Sequence, residues 1–149
     1  MLAPGTLFSV CNMLALIGWL ALGLSVFVPK ARQAIWIVTG IGLPALFAVA
    51  YLGSLIAGFA TGASGGFGSI AEVRALFAND HALAAGWIHY LAFDLIVGTL
   101  IARDAARASI PALLVLPALA LTFLFGPAGL LVHLVVRFAR GGRFTEGLS

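Results

Sequence analysis

The sequence carries very little charge. Only 9% of its 149 residues are Asp, Glu, Lys or Arg, while 62% are hydrophobic, and the mean hydropathy is +1.15. A soluble domain carries roughly 25% charged residues, so the shortfall excludes an ordinary water-facing surface and places most side chains against lipid. The length suits one domain and leaves no room for an extramembrane module. A second cysteine is missing: Cys11 stands alone, which excludes an internal disulfide, and its apolar setting suits a buried or lipid-facing thiol. Also absent are HExxH, CxxCH, a phosphate-binding loop and any cysteine pair, so none of the chemistries those motifs carry is signalled. The net charge of +3 arises from basic residues at the ends of apolar runs. That placement reads as membrane-edge anchoring and not as a nucleic-acid footprint.

What is present is four apolar stretches, running about 6–28, 34–60, 82–103 and 112–138. Roughly 20 apolar residues cover a hydrocarbon core of ~30 Å, so each can span. The expected fold is all-α: a four-helix transmembrane bundle forming a single integral membrane domain over 1–149. The first stretch lacks a basic leader and exceeds the about 7–15 apolar residues of a signal peptide, so a retained helix is expected there. A polar segment follows the second stretch. Within it, residues 69–78 repeat Ile70, Val73 and Phe77 at helical spacing, with Ser69 and Glu72 in a capping-box pattern. This predicts a short interfacial helix between helices 2 and 3. Ser54, Gly58 and Gly62, and likewise Ala21 and Ser25, recur every fourth residue and suit close helix approach. Pro117 and Gly126-Pro127 predict a bend in the fourth helix, facing the protein interior. The basic tail from Ala139 to Ser149 is expected to be mobile.

Few ionisable groups lie inside the apolar runs: His89 and Asp94 in the third, His133 in the fourth. A charge at the bilayer centre costs about 2.5–3.5 kcal/mol, so such residues usually face the interior and act. Asp94 falls ~18 Å along the third helix, near mid-membrane, and is expected to be the only deep acid. It is either a working carboxyl or helix glue bonded to Tyr90 one turn earlier. If the third and fourth helices run antiparallel, His89 and His133 approach one membrane face at similar depths of ~10 and ~8 Å. Glu72, Asp80 and His81 open onto that same face. Three chemistries stay open for such a cluster. They are acid–base work on a lipid-soluble substrate, haem or metal ligation by the histidines, and proton-coupled transport on Asp94. Lys30, Arg32, Arg103 and Arg107 lie on one predicted side, Arg74, Arg137, Arg140 and Arg143 on the other. That tie leaves dual topology open, and the flank of the first helix favours both termini outside.

The run Leu83 to Gly98, LAAGWIHYLAFDLIVG, resembles the signature of the abscisic-acid-deficient-4-like family. Leu7 to Trp19 (LFSVCNMLALIGW), Gly68 to Phe77, and Thr122 to Leu131 (TFLFGPAGLL) agree with it in the same order, covering nearly the whole chain. The matching motif positions are Trp87, His89, Tyr90, Asp94, Gly126 and Pro127. The resemblance implies four membrane helices. Because the plant member is required to make neoxanthin from violaxanthin, it also implies action on a carotenoid or related isoprenoid lipid, by epoxide-opening or isomerisation. The expectation is a carotenoid-modifying isomerase with Asp94 and His89 as its acid–base residues and Trp87, Tyr90, His133 and Glu72 contacting substrate. No metal site is assigned and the cofactor is unknown. The alternatives are a non-catalytic haem-, metal- or pigment-binding subunit and a small proton-coupled transporter. Expected partners are membrane lipid or carotenoid and not nucleic acid, with a homo-oligomer or membrane complex open. The alanine-rich composition and the lack of a plastid transit peptide point to a bacterial inner membrane.

Overall fold

In a computed structural model of the chain, which describes residues 2–141, the apolar runs are helical and no strand occurs among those residues. The first run forms α1, Pro4–Ser25, opened by a proline in its first turn, where a missing N–H breaks no helical bond. Its last turn is closed by Arg32, whose guanidinium donates to the carbonyls of Ser25 at 2.9 Å and Val26 at 3.0 Å. Those carbonyls have no helical donor of their own. The second run forms a continuous rod, α2, Pro29–Ala60, with a π-helical turn at Val38–Gly42. Pro44 stands two residues beyond it, and its missing N–H deprives the Gly40 carbonyl of its usual donor, so the helix widens there.

The polar segment holds α3, Ile70–Leu76, capped by Ser69, whose hydroxyl accepts the Glu72 N–H at 3.2 Å. The Glu72 carboxylate reaches back to the N–H of Gly68 at 3.1 Å, one residue earlier than a regular capping box. Next comes the central helix, α4, Asp80–Arg107, started by Asn79, whose amide oxygen accepts from the N–H groups of His81 and Ala82. Ile88, Leu95 and Ile101 on α4 are fully buried. Ser54 donates to the His81 carbonyl at 2.9 Å and Gly58 backs onto Ala82, while Gly62 has no neighbour. Of the three small residues, two therefore bring α2 against α4. Lower down, the hydroxyls of Thr39 and Thr99 are hydrogen-bonded at 2.8 Å, tying the π-turn to α4.

The fourth apolar run departs from expectation. It forms two helices, α5 (Ala112–Phe125) and α6 (Pro127–Ala139), and the chain reverses between them. Tyr90 of α4 meets Phe123 near the end of α5, whereas Asp104, ~21 Å further along α4, meets His133 on α6. Thus α5 climbs to the middle of α4 and α6 descends again. Gly126 allows the reversal with φ 49° and ψ −100°, a conformation that L side chains avoid. Pro127 has no N–H to bond the Phe123 carbonyl and so ends α5. Any side chain at Gly129 would run into Ala118 and Thr122 of α5, so its absence lets the two helices touch. Pro117 stays inside α5.

This hairpin corrects two expectations about the ends of the molecule. The described chain leaves beside Ser25, Pro29 and Arg107 at what we call the lower end, opposite Pro4, α3 and Asp80 at the upper end. The chain termini therefore do not share a face, as far as Gly141. The basic tie also disappears. Arg137 and Arg140 join Lys30, Arg32, Arg103 and Arg107 at the lower end, leaving Arg74 at the upper. Arg143 and the tail expected to be mobile fall outside the described residues. Three helices, α1, α2 and α4, are long and apolar enough to cross a membrane, while α5 and α6 are shorter.

Candidate functional site

Trp87, Tyr90 and Asp94 are spaced three and four apart, so they form one stripe on α4. That stripe faces α1 and the tip of the hairpin. The Trp87 indole donates to the amide oxygen of Asn12 on α1 at 3.1 Å, and its ring lies 5.5 Å from Phe8 and 5.2 Å from Tyr90. The Tyr90 hydroxyl donates to the Phe123 carbonyl at 3.2 Å. This is the acceptor that Pro127 leaves without a helical donor, so the phenol completes the broken end of α5. Asp94 lies beside Tyr90 and against Gly126: a Cβ at Gly126 would sit 2.8 Å from Asp94 Oδ1. The carboxyl is thus held at the start of α6, whose N-terminal end carries partial positive charge. Its Oδ2 is buried and accepts no hydrogen bond among the described residues.

Above this point the hairpin gives no cover, since it turns back at the level of Asp94. The upper half of the stripe is therefore open. A bay of about 310 Å³ lies there between Pro4, Gly5 and Phe8 of α1 and Asp80, Leu83 and Trp87 of α4. Asp94 lies ~21 Å below Asp80 along the helix, with Trp87 and Tyr90 on the way down. Below Asp94 the space closes: Trp19 packs on Phe123 at 5.6 Å, and Gly98 takes the edge of the Trp19 ring.

A family model described as ABA DEFICIENT 4-like matches residues 6–133. The chain belongs to the ABA DEFICIENT 4-like family. No curated protein and no solved structure matches it. The family match reaches from α1 to His133, so it takes in the whole stripe on α4 and the hairpin tip. Four of the motif positions of this family member, Trp87, Tyr90, Asp94 and Gly126, come together at one place.

The other sequence-derived candidates lie elsewhere. His89 is five residues from Asp94, about 140° around the helix. It is exposed on the opposite face, stacked on Phe93 at 4.5 Å and 5.8 Å from Tyr51 of α2. It separates two apolar hollows of about 380 and 260 Å³ that share Tyr51. His133 is not level with His89. Its Nε2 lies 2.8 Å from Asp104 Oδ2, which also meets Arg137 Nε at 2.9 Å. Since Asp104 is ~22 Å along α4 from His89, the two histidines cannot ligate one haem or metal ion. Among the described residues no group of three or more His, Cys, Asp or Glu could hold a metal. Glu72 caps α3 at the upper end, away from the stripe, and Cys11 is buried in the core.

The most buried acid among the described residues is not the half-buried Asp94 but Asp104. Asp104 was missed because the third helix was expected to stop at Arg103, and it is only 4% exposed. The readable signal was His133 and Arg137, four apart and so on one face of a helix. Asn12, a lone amide in an apolar helix, was the corresponding signal for the Trp87 contact.

Proposed function

We propose that this family member is a multi-pass membrane protein with an acid–base site at Asp94, acting on a carotenoid or related isoprenoid lipid. The observation that carries the reading is the meeting of Trp87, Tyr90 and Asp94 with Gly126, from well-separated parts of the sequence, around a carboxyl oxygen without a hydrogen-bond partner among the described residues. A structural carboxyl in an apolar setting normally has both oxygens satisfied. An unfilled acceptor is better suited to receiving a ligand's polar group, and the bay above it ends at Trp87, ~10 Å short of Asp94. The half-height hairpin leaves that bay facing lipid, so a long apolar substrate enters it sideways without crossing water and reaches Asp94 once Trp87 and Tyr90 move aside.

The chemistry is redox-neutral. An epoxide C–O bond breaks as its oxygen takes a proton from the Asp94 carboxyl. A neighbouring C–H bond then loses its proton to the conjugate base, leaving a new double bond and a hydroxyl. His89, on the far face, is not paired with Asp94 in this scheme. It lines the groove beside Tyr51, where it can contact the apolar body of a lipid. The test is the pigment profile of a host strain deleted for the native gene and supplied with variants. Asp94→Asn is expected to abolish function at wild-type expression, and Tyr90→Phe to impair it. A wild-type profile from Asp94→Asn ends the catalytic reading.

A second reading draws on the hairpin itself. Discontinuous helices that meet a carboxyl at mid-membrane are a recurring way to build proton- or cation-coupled carriers. Under that reading, Asp94→Asn abolishes proton flux in reconstituted vesicles and leaves pigments unchanged.

The orientation follows from the basic residues. With Lys30, Arg32, Arg103, Arg107, Arg137 and Arg140 at the lower end, the positive-inside rule places that end in the cytoplasm and the N-terminal end of α1 outside. In a bacterium the location is the inner membrane. A single strong bias disfavours dual topology.

A further inference from the structure

The lower end holds a further, smaller groove, between the π-turn of α2 and the last turns of α4. It has a volume of about 160 Å³, and its walls include Gln33, Trp36, Ile41, Ile96, Leu100 and Arg103. Its character changes with depth. Gln33 and Arg103 stand at the lower end, where α2 begins and α4 finishes. Further in, the walls are Leu100, ~5 Å deeper, and then Ile96 and Ile41, ~10–12 Å deeper. The widened helix at Val38–Gly42 makes part of this wall, with Gly40 packed on Thr99. A π-turn often marks a functional position.

Two polar features of the groove lack a partner among the described residues. The indole N–H of Trp36 is buried and finds no acceptor among the described residues. The ion pairs among those residues both belong to Asp104, so Arg103 has no carboxylate there. Among the described residues no acid lines the groove.

We infer that this groove seats an anionic phospholipid of the surrounding membrane, its phosphate on Arg103 and Gln33 and the top of one acyl chain along Ile41, Ile96 and Leu100. Charge complementarity selects this occupant. A cationic mouth without an acid, over an apolar floor, repels a cationic ligand and leaves a purely apolar one with Arg103 unmatched. Basic pockets between helices on a cytoplasmic face bind anionic headgroups in this way. The site lies at the opposite end of α4 from the bay and does not depend on the acid–base reading. It does rest on the membrane placement, which fractionation of the expressed protein checks separately.

The test uses the purified full chain in neutral detergent, with phosphatidylglycerol or phosphatidylcholine of matched acyl chains added and retention read by native mass spectrometry. Phosphatidylglycerol is expected to be held at least about tenfold more tightly, ~1.4 kcal/mol. Arg103→Gln is expected to remove most of that preference, and Arg103→Lys to keep it. Arg140→Gln, which removes the same charge from the same end but not from the groove, is expected to keep it too. Circular dichroism confirms that each variant is folded. Equal retention of the two lipids by the wild type overturns the inference. So does an equal loss from Arg140→Gln and Arg103→Gln, which would reduce the effect to a diffuse cationic rim.

Discussion

Gly126→Ala reports directly on the reversal of the fourth apolar run, because its sign depends on the fold. In an unbroken helix, replacing an interior glycine by alanine stabilises by up to about 1 kcal/mol. In the hairpin, Gly126 has φ 49° and ψ −100°, and an L residue held in such a region costs about 1–3 kcal/mol. The new methyl also lands 2.8 Å from Oδ1 and 3.1 Å from Oδ2 of Asp94, so the carboxyl must move. Asp94→Ala removes that overlap but leaves the backbone strain. The double variant should therefore be more stable than the sum of the singles by about 1 kcal/mol, whereas sites without contact add to within about 0.5 kcal/mol. Reversible unfolding of all four proteins in mixed micelles, followed by far-ultraviolet circular dichroism, measures both quantities. A stabilising Gly126→Ala, or strict additivity with Asp94→Ala, would refute the placement of the hairpin tip on Asp94.

Asp104→Ala should destabilise by about 3 kcal/mol, the range seen when one partner of a buried ion pair is removed, because Asp104 meets both His133 and Arg137; thermal unfolding in detergent checks it, and a change under about 0.5 kcal/mol would contradict the cluster. Tyr90→Phe should cost about 1 kcal/mol, since the Phe123 carbonyl loses its donor. Exposed His89→Ala should leave stability within about 0.5 kcal/mol, and a larger loss would show that its stacking on Phe93 is structural. Single cysteines at Ser64 and Arg140, in a Cys11→Ala background, should be labelled from opposite sides of the membrane. Labelling from one side would restore a fourth full span.

The helical character, the short helix after the second run and its Ser69 cap were legible because each rests on local rules: apolar run length and the side chains that satisfy a first turn. The stripe of Trp87, Tyr90 and Asp94 was also readable, since spacing along one helix fixes it. The reversal at Gly126 was not, because Gly-Pro within an apolar run signals a break without its angle. A bend and a full reversal differ only in the torsions of one glycine and in whether a neighbour can approach, here at Gly129. Everything placed through the fourth run inherited that ambiguity. His133 moved from the level of His89 to that of Asp104, and Arg137 and Arg140 moved to the opposite end, which resolved the charge tie. His89 and Asp94 stand on different faces for a simpler reason: five residues along a helix turn a side chain about 140°.

The central claim is that the Asp94 carboxyl moves a proton on an isoprenoid substrate. The most direct measurement incubates purified protein in lipid nanodiscs with a carotenoid epoxide and follows the products by chromatography, comparing wild type with Asp94→Asn and Asp94→Glu. The wild type should form a rearranged, isomeric product of unchanged mass. Asp94→Asn, which keeps the shape but not the titrating group, should form about a hundredfold less or none, in line with the loss of an acid–base residue, and Asp94→Glu should recover part of the rate. Equal product from wild type and a folded Asp94→Asn would contradict the account.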